Sequence, residues 1–389
     1  MAGVYIHIPF CASKCAYCDF LSFANTPEID VLRVPYIRAL INEISNCERL
    51  SGVQLESVFF GGGTPSILSA AELASILNAV ARKADISTAE ITLEANPSAY
   101  RQSETSNMYE KFSALKSSGF NRVSLGLQAA QDHLLAAIGR THTNEDFLRT
   151  HDAAISASLT SINADIMFAL PGQTLADLVS TLEQLTHLQI PHISAYSLTI
   201  EDSTPLGELY KFGQVRLPDE NTEREMYHQT RQILTAAGYA QYEISNFAVN
   251  GHKCRHNTLY WTRQSYFGFG IGAHSMIDNT RWRNTRCIRA YIDANGSHKQ
   301  IIREVEHLSI AAQIEEFIFL GLRLTAGVSA AEFQRQFGHS LYEYFGTQIH
   351  KHKQLGTLEQ HSGGIRLTPN GVSVSNIVLV DFMADFMTN

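Results

Sequence analysis

The chain has 389 residues, of which 44% are hydrophobic and 17% are charged, and its formal net charge is −8 at pH 7. This composition is typical of a folded, soluble protein and excludes the clustered basic surface that broad nucleic-acid binding requires. No apolar run is long enough to form a transmembrane helix and no secretory signal is found, so we expect a cytoplasmic protein, with peripheral contact to a membrane left open.

The cysteine spacing argues against a disulfide framework. Three of the six cysteines stand close together near the amino terminus, while Cys47, Cys254 and Cys287 are scattered. Secreted disulfide proteins are small and dense in cysteine. We therefore expect a reducing compartment, with the three scattered thiols chemically inert.

Short apolar runs alternate with amphipathic helical stretches from residue 4 to about residue 199, which is typical of βα units in a parallel sheet. The pattern predicts six strands: VYIHIPF (4–10), SVFFGG (57–62), EITLEA (90–95), RVSLGLQ (122–128), SINADIMFAL (161–170) and HISAYSLTI (192–200). Six units are too few for a closed eight-stranded barrel. The predicted fold class is therefore α/β, with a partial (β/α)6 barrel of the TIM type.

Polar residues occupy one face of two of these strands. Arg122, Ser124 and Gln128 share a face of the fourth strand, and Asn163 and Asp165 share a face of the fifth. Strands of a parallel sheet are normally apolar on both faces. One face of the sheet is therefore predicted to line a polar space.

The unusual loops all follow the carboxyl ends of predicted strands. The cysteine group follows the first strand and GGGTP (61–65) follows the second, while Glu94 ends the third strand and Gln128 ends the fourth. Binding sites of (β/α) barrels lie at this end, where the βα loops emerge. We expect these elements to meet at one rim.

The remainder of the chain is more irregular. Residues 202–221, which contain several prolines and glycines, are predicted to be a loop or linker, and a helix is predicted over 220–237. Helices resume at residue 308, and LEQHSGGIRLTPNG predicts a hairpin before a last helix, an order similar to a winged-helix fold. Residues 301–389 carry six Lys or Arg against nine Asp or Glu, so DNA binding is not expected. The predicted domains are a barrel (1–235), a connecting segment (236–300) and a C-terminal α/β domain (301–389).

The cysteine group has the spacing Cys-x3-Cys-x2-Cys at Cys11, Cys15 and Cys18. Cysteine thiolates are the usual ligands of iron–sulfur clusters, and three of them leave one iron of a four-iron cluster open. The alternative is a zinc site with His7 as the fourth ligand. His7 lies inside the preceding strand, which favours the cluster.

The motif CASKCAYC after the first strand, followed by GGGTP after the second, resembles the signature of the radical S-adenosylmethionine (SAM) superfamily. The resemblance implies a 4Fe–4S cluster on Cys11, Cys15 and Cys18, with SAM bound to the open iron. It also implies a set of residues that contact SAM: Tyr5, Tyr17, Gly62, Gly63, Thr64, Glu94, Gln128, Arg140 and Asp165.

The resemblance extends to one family over nearly the whole length. YIHIPFC, GGGTP, GLQ, LPGQT and the C-terminal region are similar to the oxygen-independent coproporphyrinogen III oxidases, which implies a winged-helix-like C-terminal domain of that family. Two departures stand against decarboxylation by this chain. Phe20 stands where the decarboxylase pattern has a fourth cysteine, and only ten residues precede Cys11, where the decarboxylase has a longer segment.

A second motif favours another branch of that family. HNTLYW, residues 256–261, matches the HNxxYW motif of the heme chaperone (HemW-type) branch. This resemblance implies that heme and a heme-acceptor protein, for instance a respiratory protein, are the partners. His256 is the predicted heme contact, and His252, Cys254 and His274 are further candidates. Covalent attachment is not expected, because the chain has no Cys-x-x-Cys-His motif.

Two functional hypotheses therefore stand side by side. The first is a heme chaperone that carries a 4Fe–4S cluster and exchangeable SAM and passes heme to an acceptor. The alternative is a radical SAM enzyme that acts on a porphyrinogen. No residue is assigned a catalytic role.

Overall fold

The structure is a computed structural model that describes residues 2–97 and 108–383. The strands, in chain order, are β1 (Ala2–Ile8), β2 (Phe10–Cys11), β3 (Phe23–Ala24), β4 (Leu55–Gly62), β5 (Glu90–Ala95), β6 (Arg122–Gln128), β7 (Ser161–Phe168), β8 (His192–Ser197), β9 (Ala240–Gln241), β10 (Asn246–Ala248), β11 (Ser265–Phe269), β12 (His274–Ile277), β13 (Thr280–Asn284), β14 (Ile302–His307), β15 (Val328–Ser329), β16 (Leu358–His361) and β17 (Gly364–Leu367).

The helices, in chain order, are α1 (Pro27–Ser45), α2 (Ala70–Ala81), α3 (Met108–Ser117), α4 (Asp132–Ala137), α5 (Asn144–Ser156), α6 (Leu175–His187), α7 (Pro205–Lys211), α8 (Glu220–Ala236), α9 (Arg255–Trp261), α10 (Ile288–Ala294), α11 (His298–Ile301), α12 (Ile310–Gly321), α13 (Ala330–Phe337), α14 (Leu341–Tyr344), α15 (Gly346–Gln354), α16 (Pro369–Ser373) and α17 (Ser375–Met383). Short 3-10 helices cover Glu48–Leu50 and Pro65–Ile67. In the part of the chain that the structure describes, no helix is both long enough and apolar enough to cross a membrane.

Most strands join one twelve-stranded sheet. Its order is β14-β13-β12-β11-β1-β4-β5-β6-β7-β8-β10-β9. Strands β1, β4, β5, β6, β7 and β8 are parallel neighbours, which confirms the six predicted strands and the partial (β/α)6 barrel. Their apolar residues enter one continuous core with the inner faces of the helices.

Strand β11 is a seventh parallel strand, which the sequence analysis left unassigned. It pairs in parallel with β1 on the side opposite β4, and β12 to β14 continue the sheet in antiparallel order. Gly268 within it and the glycines that follow it hid its extended character. A Cβ at Gly268 would lie 2.0 Å from the carbonyl oxygen of His274, so only glycine fits where β11 meets β12.

The predicted loop over residues 202–221 is wrong in part, because α7 lies inside it. Pro205 occupies the first turn of α7, where its missing N–H costs nothing and its fixed φ suits a helix. The Thr204 side chain caps the helix by accepting a hydrogen bond from the Gly207 N–H at 3.1 Å. The proline therefore starts a helix here instead of marking a linker.

A second, smaller hydrophobic core occupies the C-terminal part of the chain. It extends from Ile314 to Phe382 and centres on the fully buried Phe333, which contacts the rings of Phe317 and Phe337. Strands β16 and β17 form the predicted hairpin, and β15 pairs with β17. The division into three domains stays a prediction; the large sheet itself continues across residue 235.

Candidate functional site

The cysteine loop is held in place by backbone hydrogen bonds from four directions. It starts where β2 pairs with β3. The Ala16 N–H donates to the Ile138 carbonyl at 3.1 Å, and the Leu206 N–H of α7 donates to the Ala16 carbonyl at 2.8 Å. The Thr64 N–H donates to the Phe10 carbonyl at 2.8 Å. The loop after β4 and helix α7 therefore fix the conformation of the cysteine loop.

The three cysteines line one cavity of about 360 Å3 at the carboxyl end of the parallel strands. We call it the cysteine cavity, and its volume is in the range of small-molecule and cofactor sites, roughly 300–1,000 Å3. The structure brings most of the predicted SAM contacts to the same cavity: Tyr17, Gly62, Gly63, Thr64, Glu94, Gln128, Arg140 and Asp165. Residues far apart in sequence thus meet at the rim, where we expected them.

Two glycines allow the loop after β4 to approach the cysteine loop. A Cβ at Gly63 would lie 2.7 Å from the Phe10 carbonyl oxygen and 3.0 Å from the Cys11 sulfur. Gly62 has a φ of 111°, and a Cβ there would lie 2.5 Å from the His7 ring. Side chains at either position would push these segments apart.

Arg140 places a positive charge beside the thiols. Its Nη1 donates to the Cys15 sulfur at 3.5 Å and its Nη2 donates to the Gly126 carbonyl at 2.6 Å. Its buried Nε has no hydrogen-bond partner among the described residues. Burial raises the pKa of the Cys11 and Cys18 thiols. The charge of Lys14 opposes this rise in pKa at both thiols, and nearby cations favour the thiolate form that metal binding requires.

Two carboxylates lie deeper in the same cavity. Glu94 accepts a hydrogen bond from the Gly62 N–H at 3.2 Å. Asp165 accepts from the Ser124 hydroxyl and from the Asn163 amide, each at 2.8 Å. Burial, together with the charge of Asp165, raises the pKa of Glu94 to about 8. Glu94 is therefore largely protonated at neutral pH in the ligand-free protein.

Gln128 reaches the cavity through a backbone irregularity. The β6–β7 register shifts between Gly126 and Gln128, and Gln128 has a φ of 69°. A non-glycine residue with positive φ is strained. The bulge turns the end of β6 toward the cavity, where Gln128 is one of the lining residues.

Tyr5 is the predicted SAM contact that the structure places elsewhere. It does not line the cysteine cavity; its hydroxyl lies 3.0 Å from His7 Nδ1, below the rim. The other ring nitrogen of His7 lies 2.8 Å from the Leu21 carbonyl oxygen. Because both nitrogens of His7 are hydrogen-bonded, the ring offers no free ligand atom, which disfavours the zinc alternative.

A second, smaller cavity lies inside the barrel, toward the amino ends of the strands. We call it the inner chamber; it has a volume of about 170 Å3 and is lined among others by Tyr5, Arg122, Asn163, His256 and Tyr260. Glu94, Ser124, Asp165 and Tyr196 line both this chamber and the cysteine cavity. The two spaces are therefore neighbours along the barrel axis. This is the polar space that the strand faces predicted.

The structure buries His256 instead of exposing it. Its Nδ1 lies 2.8 Å from the Ser57 hydroxyl, its Nε2 lies 2.9 Å from the Tyr260 hydroxyl, and its ring stacks on Phe59 at 5.0 Å. Burial, together with the charge of Arg122, lowers the pKa of His256 to about 3. Both nitrogens of this neutral ring are engaged, so ligation of iron by His256 would require one of these hydrogen bonds to break; His256 as a heme contact stays a prediction.

The other heme candidates are not grouped with the cysteines either. Cys254 is buried at the start of α9, where its thiol lies 3.6 Å from Glu90 Oε1 and burial raises its pKa to about 12. His252 lies on the preceding turn. His274 is exposed on β12, opposite Arg283 of β13. None of the three lines the cysteine cavity.

Tyr196 is a lining residue that the sequence analysis missed. It stands on β8 and lines both the cysteine cavity and the inner chamber. The signal was present in the sequence, since His192, Ser194 and Tyr196 alternate along one face of β8. The same reasoning that identified the polar faces of β6 and β7 would have found it.

Comparisons with known proteins identify the family to which this chain is similar. The Radical SAM superfamily matches residues 5–185, and the HemN C-terminal domain matches residues 308–374. The chain is 36% identical to "Heme chaperone HemW" of Bacillus subtilis, over 99% of this chain and 100% of that protein. It is 32% identical to "Heme chaperone HemW" of Escherichia coli, over 98% of each.

A solved structure has the same fold. Coproporphyrinogen III oxidase (HemN) from Escherichia coli, described as a radical SAM enzyme, aligns with a TM-score of 0.82 over 98% of this chain and 89% of that chain. The sequence identity is 20%, so the match carries the architecture and not the activity.

The raised pKa of Glu94 predicts a pH-dependent stability. The unfolded carboxyl has a pKa near 4.5 and the folded one about 8, so folding binds a proton and stability falls as pH rises between these values. Urea unfolding of metal-free protein at pH 5.5 and 8.5 should show this loss, and Glu94→Gln should remove a part of order a few kcal/mol. Glu43, whose burial raises its pKa to about 7, stays in both proteins. Equal losses in the two proteins would contradict the assignment.

Proposed function

The chain belongs to the HemW family of the radical SAM superfamily, and from this premise we propose that it binds heme and transfers it to an acceptor protein. In this proposal it also holds a 4Fe–4S cluster on Cys11, Cys15 and Cys18, with SAM beside it. The observation that carries the proposal is the 36% sequence identity to a protein named as a heme chaperone, which extends over essentially the full length of both chains. Thiol ligands of this kind need a reducing compartment, which supports the proposal of a cytoplasmic location.

The cysteine cavity supports the cluster and SAM. Its thiols face one space, a cation lies beside Cys15, and the Nε of Arg140 still lacks a partner among the described residues. The carboxylates of Glu94 and Asp165 and the backbone at Gly62 and Gly63 would hold the polar parts of SAM. When bound, the cluster and SAM supply one-electron chemistry. The protein contributes three thiolates and a fixed charge beside Cys15.

Phe20 supports the chaperone over the decarboxylase. It takes the position of the fourth cysteine of the decarboxylase pattern, and the structure leaves it 64% exposed at the mouth of the cysteine cavity. A large exposed aromatic side chain is costly in water and common in protein interfaces. The rim of the cavity thus carries an apolar surface where the decarboxylase pattern has a thiol.

The cluster assignment predicts a specific loss of iron. After anaerobic reconstitution, the wild-type chain should hold about four iron and four sulfide, since three thiolates complete such a cluster with SAM. Cys15→Ala should lose most of both, because one iron loses its ligand. Cys287→Ala is the matched control, since that thiol is exposed and free. One zinc per chain without iron or sulfide, or an unchanged cluster in Cys15→Ala, would contradict the assignment.

Heme titration combined with a turnover assay tests the function. Full-length protein should develop a Soret band that saturates at one heme per chain, because a carrier holds its cargo in a defined site. The same protein, reduced and offered coproporphyrinogen III with SAM, should form no protoporphyrinogen. Stoichiometric decarboxylation without a saturable Soret band would replace the chaperone with the radical SAM enzyme.

A further inference from the structure

A third cavity, of about 380 Å3, lies outside the barrel. We call it the outer cavity; it is enclosed by the carboxyl end of α1 and one face of strands β11 to β14 and is lined among others by Phe267, Phe269, Trp282, Ile302, Val305 and His307. Among the described residues it shares no lining side chain with the cysteine cavity or the inner chamber. It is therefore a separate site on the molecule.

The walls of the outer cavity are suited to a large apolar ring system. Phe267 and Phe269 are buried at its base, on one face of β11, and their ring planes are nearly parallel, with an interplanar angle of 2°. Trp282 and Ile302 are partly exposed on the adjoining strands. Val305 is 57% exposed and has a large uncovered aliphatic surface. A flat apolar ligand would remove this surface from water.

One imidazole in the cavity has a nitrogen available for iron. His307 is exposed at the end of β14, and its Nδ1 lies 3.0 Å from the Thr280 hydroxyl. Its Nε2 has no hydrogen bond to a described residue. A histidine whose second nitrogen is held by a hydroxyl or carbonyl is the usual arrangement for a metal-binding imidazole.

The other metal-binding groups of the cavity are less suited to this task. Burial raises the pKa of the Cys47 thiol, which keeps it protonated and a poor ligand. Nε2 of His298 is bonded to the Glu43 carbonyl at 3.0 Å, and the His298 ring is only partly exposed. His307 is more exposed than His298, so we assign the iron ligand to His307.

A cation at the edge of the cavity complements the carboxylates of heme. Arg49 is exposed, and its guanidinium lies 5.8 Å from the centre of the Trp282 ring. The neighbouring Glu48 is paired with Lys83 at 3.1 Å. A planar guanidinium held over an aromatic ring can bind a carboxylate in a bidentate manner.

We infer that the outer cavity, and not the α9 motif, is the heme site, with His307 as the iron ligand and Arg49 as the partner of a propionate. The inference rests on the proposed heme-carrier function. The inner chamber, at about 170 Å3, is below the usual range of ligand pockets, roughly 300–1,000 Å3. Exposure of the ligand on the outer surface also suits release to an acceptor, since no core element has to move.

Heme titration of variants, followed by Soret absorbance and by electron paramagnetic resonance of the iron, tests the inference. His307→Ala should weaken heme binding by about tenfold or more, and Thr280→Val, which removes the second hydrogen bond, by roughly tenfold. Val305→Glu should also weaken binding, because it places a charge on the apolar wall. External imidazole should restore the low-spin spectrum of His307→Gly, which a purely structural role would not produce.

Three comparisons separate the outcomes. His187→Ala is the matched control, an exposed histidine on α6, and should bind heme as the wild type does. Cys15→Ala should also retain the wild-type Soret band, because the two cavities share no lining residue. Wild-type affinity in both His307→Ala and Val305→Glu, with loss only in His256→Ala of unchanged circular dichroism, would overturn the outer cavity. Absence of any saturable heme binding by the wild-type protein would instead overturn the proposed function itself.

Discussion

Parallel pairing of neighbouring strands is the constraint on which the rest of this structure depends. Because the carboxyl ends of β1, β4, β5, β6 and β7 meet at one edge, residues from Cys11 to Asp165 face one cavity although they are far apart in the chain. β1 lies between β4 and β11, so the cysteine loop emerges from the middle of the sheet. Its backbone bonds to the loops after β4 and α4 and to α7 then hold the thiols at the rim.

The six barrel strands and most of the rim were predictable from sequence, because burial leaves a direct trace in residue alternation. Asn163 and Asp165 alternate with apolar residues along β7, and in the structure both line the inner chamber of the barrel. Strand β11 and helix α7 were not predictable in the same way. Gly268 of β11 is required by the close approach of β12, and a proline such as Pro205 is common both in linkers and in the first turn of a helix. Whether such a segment forms a strand, a helix or a loop depends on its tertiary contacts, which the local sequence does not reveal.

The motif around His256 shows a further limit of sequence reasoning. The match of HNTLYW correctly identified the family, but a motif does not reveal whether a ring nitrogen is free. Here Ser57 and Tyr260 occupy both nitrogens of His256, and α9 packs against β4 at the amino end of the barrel. The open imidazole of His307 stands in a segment that carried no signal, since an exposed histidine on an edge strand is common. In our proposals, heme and the 4Fe–4S cluster are therefore assigned to separate parts of one sheet.

Transfer of heme is the property that separates a carrier from a catalyst, and its direct measurement tests the account most sharply. Reconstituted, heme-loaded protein would be mixed anaerobically with a heme-free respiratory enzyme, with and without SAM, and heme would be followed by absorbance and by the activity of the acceptor. The account predicts that intact heme moves from the chain to the acceptor and that acceptor activity appears in proportion. Retention of heme by the chain, together with SAM cleavage and decarboxylation of an added porphyrinogen, would contradict it.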